Sequence, residues 1–145
     1  MLHRSNHKSP TNLVLSGITD ERVNVVWKDD FNLQKDRTHY DRQVNTERSA
    51  VCISVLLAKK LTDYTVIMRS RKGTGFDYLL GTEEDFFNPK ARLEISGIEK
   101  ESFSNTIQYR FKQKIEQVSP SDNTGLPAYI SVVEFGTPKA IFNVK

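Results

Sequence analysis

The sequence predicts a mixed α/β domain, a sheet of α+β character flanked by helices. Three observations predict it. Segments 45–61 and 102–118 repeat apolar residues at helical spacing. Runs 63–71, 74–81, 90–98 and 128–135 are rich in residues that favour strands. The first three of these runs are joined by connections so short that they imply an antiparallel meander. The order from residue 45 is therefore helix, three strands, helix, strand.

The 145 residues are enough for one domain with one core. The net charge of +3 and a pI near 9.0 permit a polyanionic partner without requiring one. The single cysteine, Cys52, excludes an internal disulfide and a cysteine-built zinc cluster, which points to a reducing, cytoplasmic setting. Cys52 lies in an apolar run and reads as a small core residue. The chain has no apolar run of the length that spans a membrane, and no secretory leader pattern at its start. Residues 1–11 read as a flexible polar tail, in which His3 and His7 could chelate a metal although a disordered tail is the simpler reading, and residues 12–145 as a single domain.

Along that domain, "NLVLS" (12–16) and "RVNVVW" (22–27) flank the turn "GITDE" and predict an N-terminal β-hairpin. A polar connector follows to residue 44. In it, His39 could be a metal ligand or an acid–base group, although a lone histidine in a polar connector is usually neither. Over 45–61, Ala50, Ile53, Leu57 and Leu61 form a stripe that Val51, Val55, Leu56 and Ala58 widen, as in a well-buried helix. Asn45 or Thr46 is placed to cap it, with Glu47 in its first turn. On the second helix, Ile107, Phe111, Ile115 and Val118 form the stripe. Arg110, Lys114 and Gln117 run along one flank, and Gln108 and Lys112 along the other. After the strand "AYISVVEF" (128–135), "TPKAIFNVK" adds a short edge strand.

The carboxylates hold the chemical interest. Strand alternation in "ARLEISG" puts Arg92, Glu94 and Ser96 on one face and Leu93 and Ile95 on the other. In "GFDYLLG", Asp77 stands where aspartate is disfavoured. If these two strands are neighbours, Asp77 and Glu94 converge, and a divalent cation with oxygen preference, Mg²⁺ or Mn²⁺, would relieve their repulsion. The competing expectation is that Asp77 ends a strand at the sheet edge and Glu94 pairs with Arg92 or Arg69.

These residues, in this order of elements, resemble the PD-(D/E)XK nuclease superfamily, whose restriction-endonuclease-like core runs α-β-β-β-α-β. The resemblance covers about residues 45–135. Glu47 matches the acid on the first helix, Asp77 the strand aspartate, and Glu94 the acid of the D/E-x-K tripeptide. "SRKGTGFDY" and "ARLEISG" also resemble stretches of a bacterial family, a likeness that names no activity. The resemblance implies metal-dependent hydrolysis of phosphodiester bonds, in DNA. Mg²⁺ or Mn²⁺ would be held by Asp77, Glu94 and the Ile95 backbone carbonyl, with Glu47 on a second ion or its water. It implies a homodimer where both strands of a duplex are cut. The chain departs from the pattern at Ser96, which occupies the lysine position. Lys114 is the first candidate to supply the missing cation, and Lys112 the second. Arg69, Arg71 and Lys72 beside the glycine turn, with Arg110 and Lys112, are candidate nucleic-acid contacts. Phe76 and Tyr78 beside them read as core. Ser96 also supports an alternative: a nuclease-like domain that binds nucleic acid or a protein without cutting. A structural assembly module, its N-terminal hairpin adding strands to a neighbour, is a further alternative.

Overall fold

A computed structural model describes residues 1–28, 32, 34, 37 and 40–145. His39 lies outside the described residues. The elements are β1 (Thr11–Gly17), β2 (Glu21–Val25), α1 (Arg42–Leu61), β3 (Thr65–Arg69), β4 (Tyr78–Gly81), β5 (Ala91–Ile98), α2 (Ile107–Val118), β6 (Ala128–Glu134) and β7 (Lys139–Val144). The fold is mixed α/β. One seven-stranded sheet has the order β2-β1-β7-β6-β5-β4-β3. The pairs β5–β6 and β1–β7 are parallel and the others antiparallel.

The two helices cover opposite faces. Leu57 and Ala58 of α1 pack with Leu13, Leu15, Leu80, Leu93, Ile95, Phe135 and Phe142. Ile107 and Val118 of α2 pack with Ile98, Ala128, Ile130 and Val132. Strand β5 is sandwiched between them, so its residues 91–96 are buried whichever face they point to. Gly97 lets α1 approach: a Cβ there would stand 2.7 Å from the Thr46 carbonyl oxygen.

Several boundaries differ from the sequence expectation, each for a local reason. Helix α1 begins at Arg42 because the Asp41 carboxylate accepts from Val44 N–H (3.0 Å) and caps it. Thr46 is then inside the helix, its hydroxyl donating to the Arg42 carbonyl (2.8 Å), and Glu47 no longer lies in the first turn. The helix is buried on one side only. Ala50, Ser54, Leu57 and Ala58 share the buried face, while Cys52 and Leu56 lie opposite and are exposed. Cys52 is therefore a surface residue, not a core residue. Helix α2 starts at Ile107 because Ser102 and Asn105 close a tight turn before it and Thr106 caps it.

Strand β7 is not an edge. It lies between β6 and β1, because the N-terminal hairpin joins parallel to it through Leu15↔Ala140 and its neighbours. That hairpin joins its own sheet through β1 and leaves β2 at the sheet edge. The expected polar tail is also packed: His3–Ser5 form a 3-10 turn and Leu2 is buried in the α1-side core. His7 is tied down as well, its Nε2 lying 3.0 Å from the Phe135 carbonyl oxygen. Among the described residues no helix is long and apolar enough to cross a membrane.

Candidate active site

Strands β4 and β5 are neighbours, in the register Tyr78↔Leu93. Asp77 immediately precedes β4, and its backbone still bridges both neighbours. Its N–H donates to the Leu93 carbonyl (3.0 Å) and its carbonyl accepts from Ser70 N–H (2.7 Å). Beyond this point the β3–β4 hairpin leaves the sheet and β5 continues without it. Asp77 Oδ2 bridges the gap by accepting from Ile95 N–H (2.8 Å). The N–H and C=O of a strand residue face the same edge, so the Ile95 carbonyl opens toward Asp77 as well.

Glu94, 1% exposed, points to the α2 face together with Arg92 and Ser96. Its Oε1 accepts from Lys114 Nζ (2.5 Å) and from Gln117 Nε2 (2.8 Å), and Lys114 also donates to Gln117 Oε1 (2.8 Å). Glu94, Lys114 and Gln117 thus form a closed triangle. Glu94 Oε2 is buried with no donor among the ionised groups described, but the Glu94 and Asp77 carboxyls lie close enough to share a proton when Glu94 is protonated. Burial is the main force that pushes the Glu94 carboxyl up to about 7. Lys114 pulls against it and the Asp77 charge adds to it.

The pairing of Glu94 with Arg92 or Arg69 does not occur. Arg92 is consumed by the turn after α2, donating to the Leu126 and Val118 carbonyls, to Ser121 Oγ and to Asp122 Oδ1. Ser96 accepts from Arg110 Nη1 (3.3 Å), and Arg110 Nη2 donates to Asn105 Oδ1 (2.8 Å). The flank Arg110–Lys114–Gln117 therefore faces the sheet, while Lys112 is exposed on the other side of α2.

A cleft of about 820 Å³ opens where the hairpin leaves β5. Its floor includes Asp77, Ile95, Ser96 and Gly97, and its walls carry Glu47, Arg48 and Cys52 from α1, Arg69 from β3, and Arg110 and Lys114 from α2. A recess of about 460 Å³ shares Arg69 and Asp77 with it and is lined by Arg71, Lys72, Glu94 and Gln117. Phe76 and Tyr78 are partly buried against the two cores. Glu47 accepts from Gln43 Nε2 (3.2 Å) within α1. It lines the cleft without completing a cluster, since among the described residues no three His, Cys, Asp or Glu side chains converge as metal ligands.

Sequence reasoning missed Arg48 and Cys52 as cleft residues. The signal was available at helical spacing: Val44, Glu47, Arg48, Val51 and Cys52 form a second stripe on α1, beside the buried one. Comparison of the chain with protein-family models, with curated proteins and with solved structures returned no match.

Proposed function

We propose that the protein is a metal-dependent nuclease with a PD-(D/E)XK-like core, hydrolysing phosphodiester bonds in DNA. One observation carries the reading. Two carboxyls, Asp77 and Glu94, meet beside Lys114 between a cleft and a recess lined by arginines, and the buried Glu94 Oε2 has no donor beyond a proton shared with Asp77. Two carboxyls held together repel once both are ionised, a cost seldom kept without a use.

The donors fit Mg²⁺ or Mn²⁺. Asp77, Glu94 and the Ile95 carbonyl offer oxygen only, which suits a hard cation. A divalent ion held there supplies charge neutralisation to the phosphodiester and acidifies water. The chain's own residues do the rest. Lys114 and Gln117 hold Glu94 by Oε1 and leave Oε2 toward the acidic partner. Asp77 is held by Ile95 N–H. Lys114 keeps a fixed positive charge where negative charge grows on the phosphate during hydrolysis. Arg48, Arg69 and Arg110 line the path of the phosphates on either side.

A second reading, binding without hydrolysis, is favoured by Ser96. The lysine position of the tripeptide carries a hydroxyl, and Arg110 holds it. Cleavage of plasmid and single-stranded DNA with Mg²⁺ or Mn²⁺ separates the two. The nuclease reading expects Asp77→Ala and Glu94→Ala each to lower the rate by about 100-fold or more. It also expects Mg²⁺ to raise the thermal midpoint of the wild type and not that of either variant. Salt-sensitive DNA binding with no cleavage supports the second reading, and cleavage untouched by both substitutions refutes the site.

A further inference from the structure

We infer that the recess beside Asp77 is a pocket for a phosphate monoester, the terminal phosphate of a DNA strand whose body lies in the cleft. The inference rests on the nuclease reading and adds the substrate class, strands that end in phosphate.

Three cations, Arg69, Arg71 and Lys72, line this recess of about 460 Å³ together with Asp77 and Glu94. Cations on an edge hairpin often do no more than guard the edge. These three are set apart by their lack of partners. Their side chains make no ion pair or hydrogen bond with a described residue. The acids of the recess are engaged elsewhere, Asp77 with Ile95 N–H and Glu94 with Lys114. Cations that share a recess with acids and pair with none of them keep their charge for a ligand. The backbone adds donors. The N–H groups of Lys72, Gly73 and Gly75 donate to no described group. Gly73 has φ +92° and nothing within 4 Å of where a Cβ would stand, so a ligand can approach its backbone. Free amides on a glycine turn beside cations suit a phosphate.

Charge and shape select a terminal phosphate over an internal one. A phosphodiester carries one negative charge, while a phosphate monoester carries about −1.5 to −2 at neutral pH. Three unpaired cations are better matched by the monoester. An internal phosphate also needs the strand to leave by the far side. Away from the cleft, however, the turn closes on the end of α2. A Cβ on Gly75 would stand 2.5 Å from the Gln117 carbonyl oxygen, and Phe76 packs into the α2-side core. On the near side, Arg69 and Asp77 line both cavities and join the recess to the cleft. A strand that runs through the cleft thus ends in the recess, with its last linkage beside Asp77 and Glu94.

The test is equilibrium binding in EDTA, which removes cleavage from the measurement. Internally labelled oligonucleotides of about 12 thymidines carry a 5′-phosphate, a 3′-phosphate or hydroxyls at both ends. Wild type is expected to bind at least one phosphorylated form about tenfold more tightly than the hydroxyl form. Arg71→Ala and Lys72→Ala should each remove most of that preference and leave the hydroxyl form within about twofold of wild type. Lys60→Ala, in the last turn of α1 and outside both cavities, should keep the preference. All three side chains are exposed, and unchanged urea midpoints confirm folding. With Mg²⁺, linear DNA bearing the preferred phosphate should be cut faster than closed plasmid, which has no ends. Thymidine monophosphate that competes as well as the phosphorylated oligonucleotide makes the recess a mononucleotide site and overturns the strand reading. Equal losses for phosphorylated and hydroxyl forms in Arg71→Ala indicate an internal phosphate and also overturn it. No preference for phosphate, alongside Mg²⁺-dependent cleavage that needs Asp77, overturns the pocket and leaves the nuclease reading intact. A phosphate preference that depends on Arg71, in a protein that cuts nothing, keeps the pocket and overturns the nuclease reading.

Discussion

Lys114 Nζ of α2 donates to Glu94 Oε1 of β5 across 2.5 Å, and Glu94 is the more deeply buried partner, at 1% side-chain exposure against 17%. A strand and a helix that approach from different parts of the chain thus place a lysine on a buried glutamate. The ammonium keeps access to the cleft, while the carboxylate depends on the protein for solvation.

Lys114 should therefore matter more to turnover than to folding. Lys114→Met keeps the stem of the side chain and removes the charge. Its expected effect is a fall in cleavage rate of about 100-fold, with much of the DNA affinity kept by the arginines of the cleft. Lys114→Arg should recover part of the loss. The check is single-turnover cleavage beside equilibrium binding. Equal losses in both would make Lys114 a binding residue only.

The Glu94 carboxyl sets a pH dependence of stability in metal-free protein. Its ordinary value is 4.5 and the fold raises it to about 7, chiefly by burial. Between these values the folded state holds a proton that the unfolded state has released, so stability falls as pH rises through the window. The Glu94 contribution is fully present below about pH 4.5 and is gone above about pH 7, a change of at most about 3 kcal/mol. Glu94→Gln should flatten this part of the profile. Urea midpoints from pH 4.5 to 8, with chelator, measure it. A slope unchanged by the substitution assigns the dependence to another group.

Gly75 carries two constraints at one position. Its φ is +83°, and a Cβ would stand 2.5 Å from the Gln117 carbonyl oxygen at the end of α2. Gly75→Ala must strain the turn and lift the hairpin off the helix, at a cost of about 2–4 kcal/mol. Asp77 follows two residues later, so cleavage should fall beyond what the lost stability explains. Gly73 has φ +92° but open space around it, so Gly73→Ala should cost only the backbone strain. Denaturation midpoints of the two variants, side by side, test the contact with α2.

Cys52 is the one cysteine and stands in the cleft wall, which makes it a reporter. Its reaction with a thiol reagent should slow several-fold when DNA is bound in chelator. Salt that releases the DNA should restore the rate. A rate indifferent to saturating DNA would move the nucleic acid away from this cleft.

The Glu94–Lys114 pair was legible from two periodicities. Strand alternation separated Glu94 from Leu93 and Ile95, and the 3.6-residue period aligned Lys114 with Arg110 and Gln117 beside the apolar stripe. Asp77 was legible as an aspartate out of place in a strand. The cleft was not, because its existence depends on where the β3–β4 hairpin parts from β5. Nor was the face of α1 that carries Arg48 and Cys52. A helix with apolar residues on several sides can rotate, and its contacts with the sheet, Thr46 and Ala50 on Gly97 and Ser54 on Ser131, choose the rotation.

By itself the sequence determined a mixed α/β core, its helices and strands, the meander and the facing of Glu94 and Lys114, because these follow from local periodicity and turn chemistry. Tertiary structure alone decided that β7 is interior, that Leu2 is buried, that Arg92 is consumed by the turn after α2, and that the Glu94 and Asp77 carboxyls meet. Burial and pairing depend on residues distant in the chain, and no period within one segment reports which distant segment will arrive.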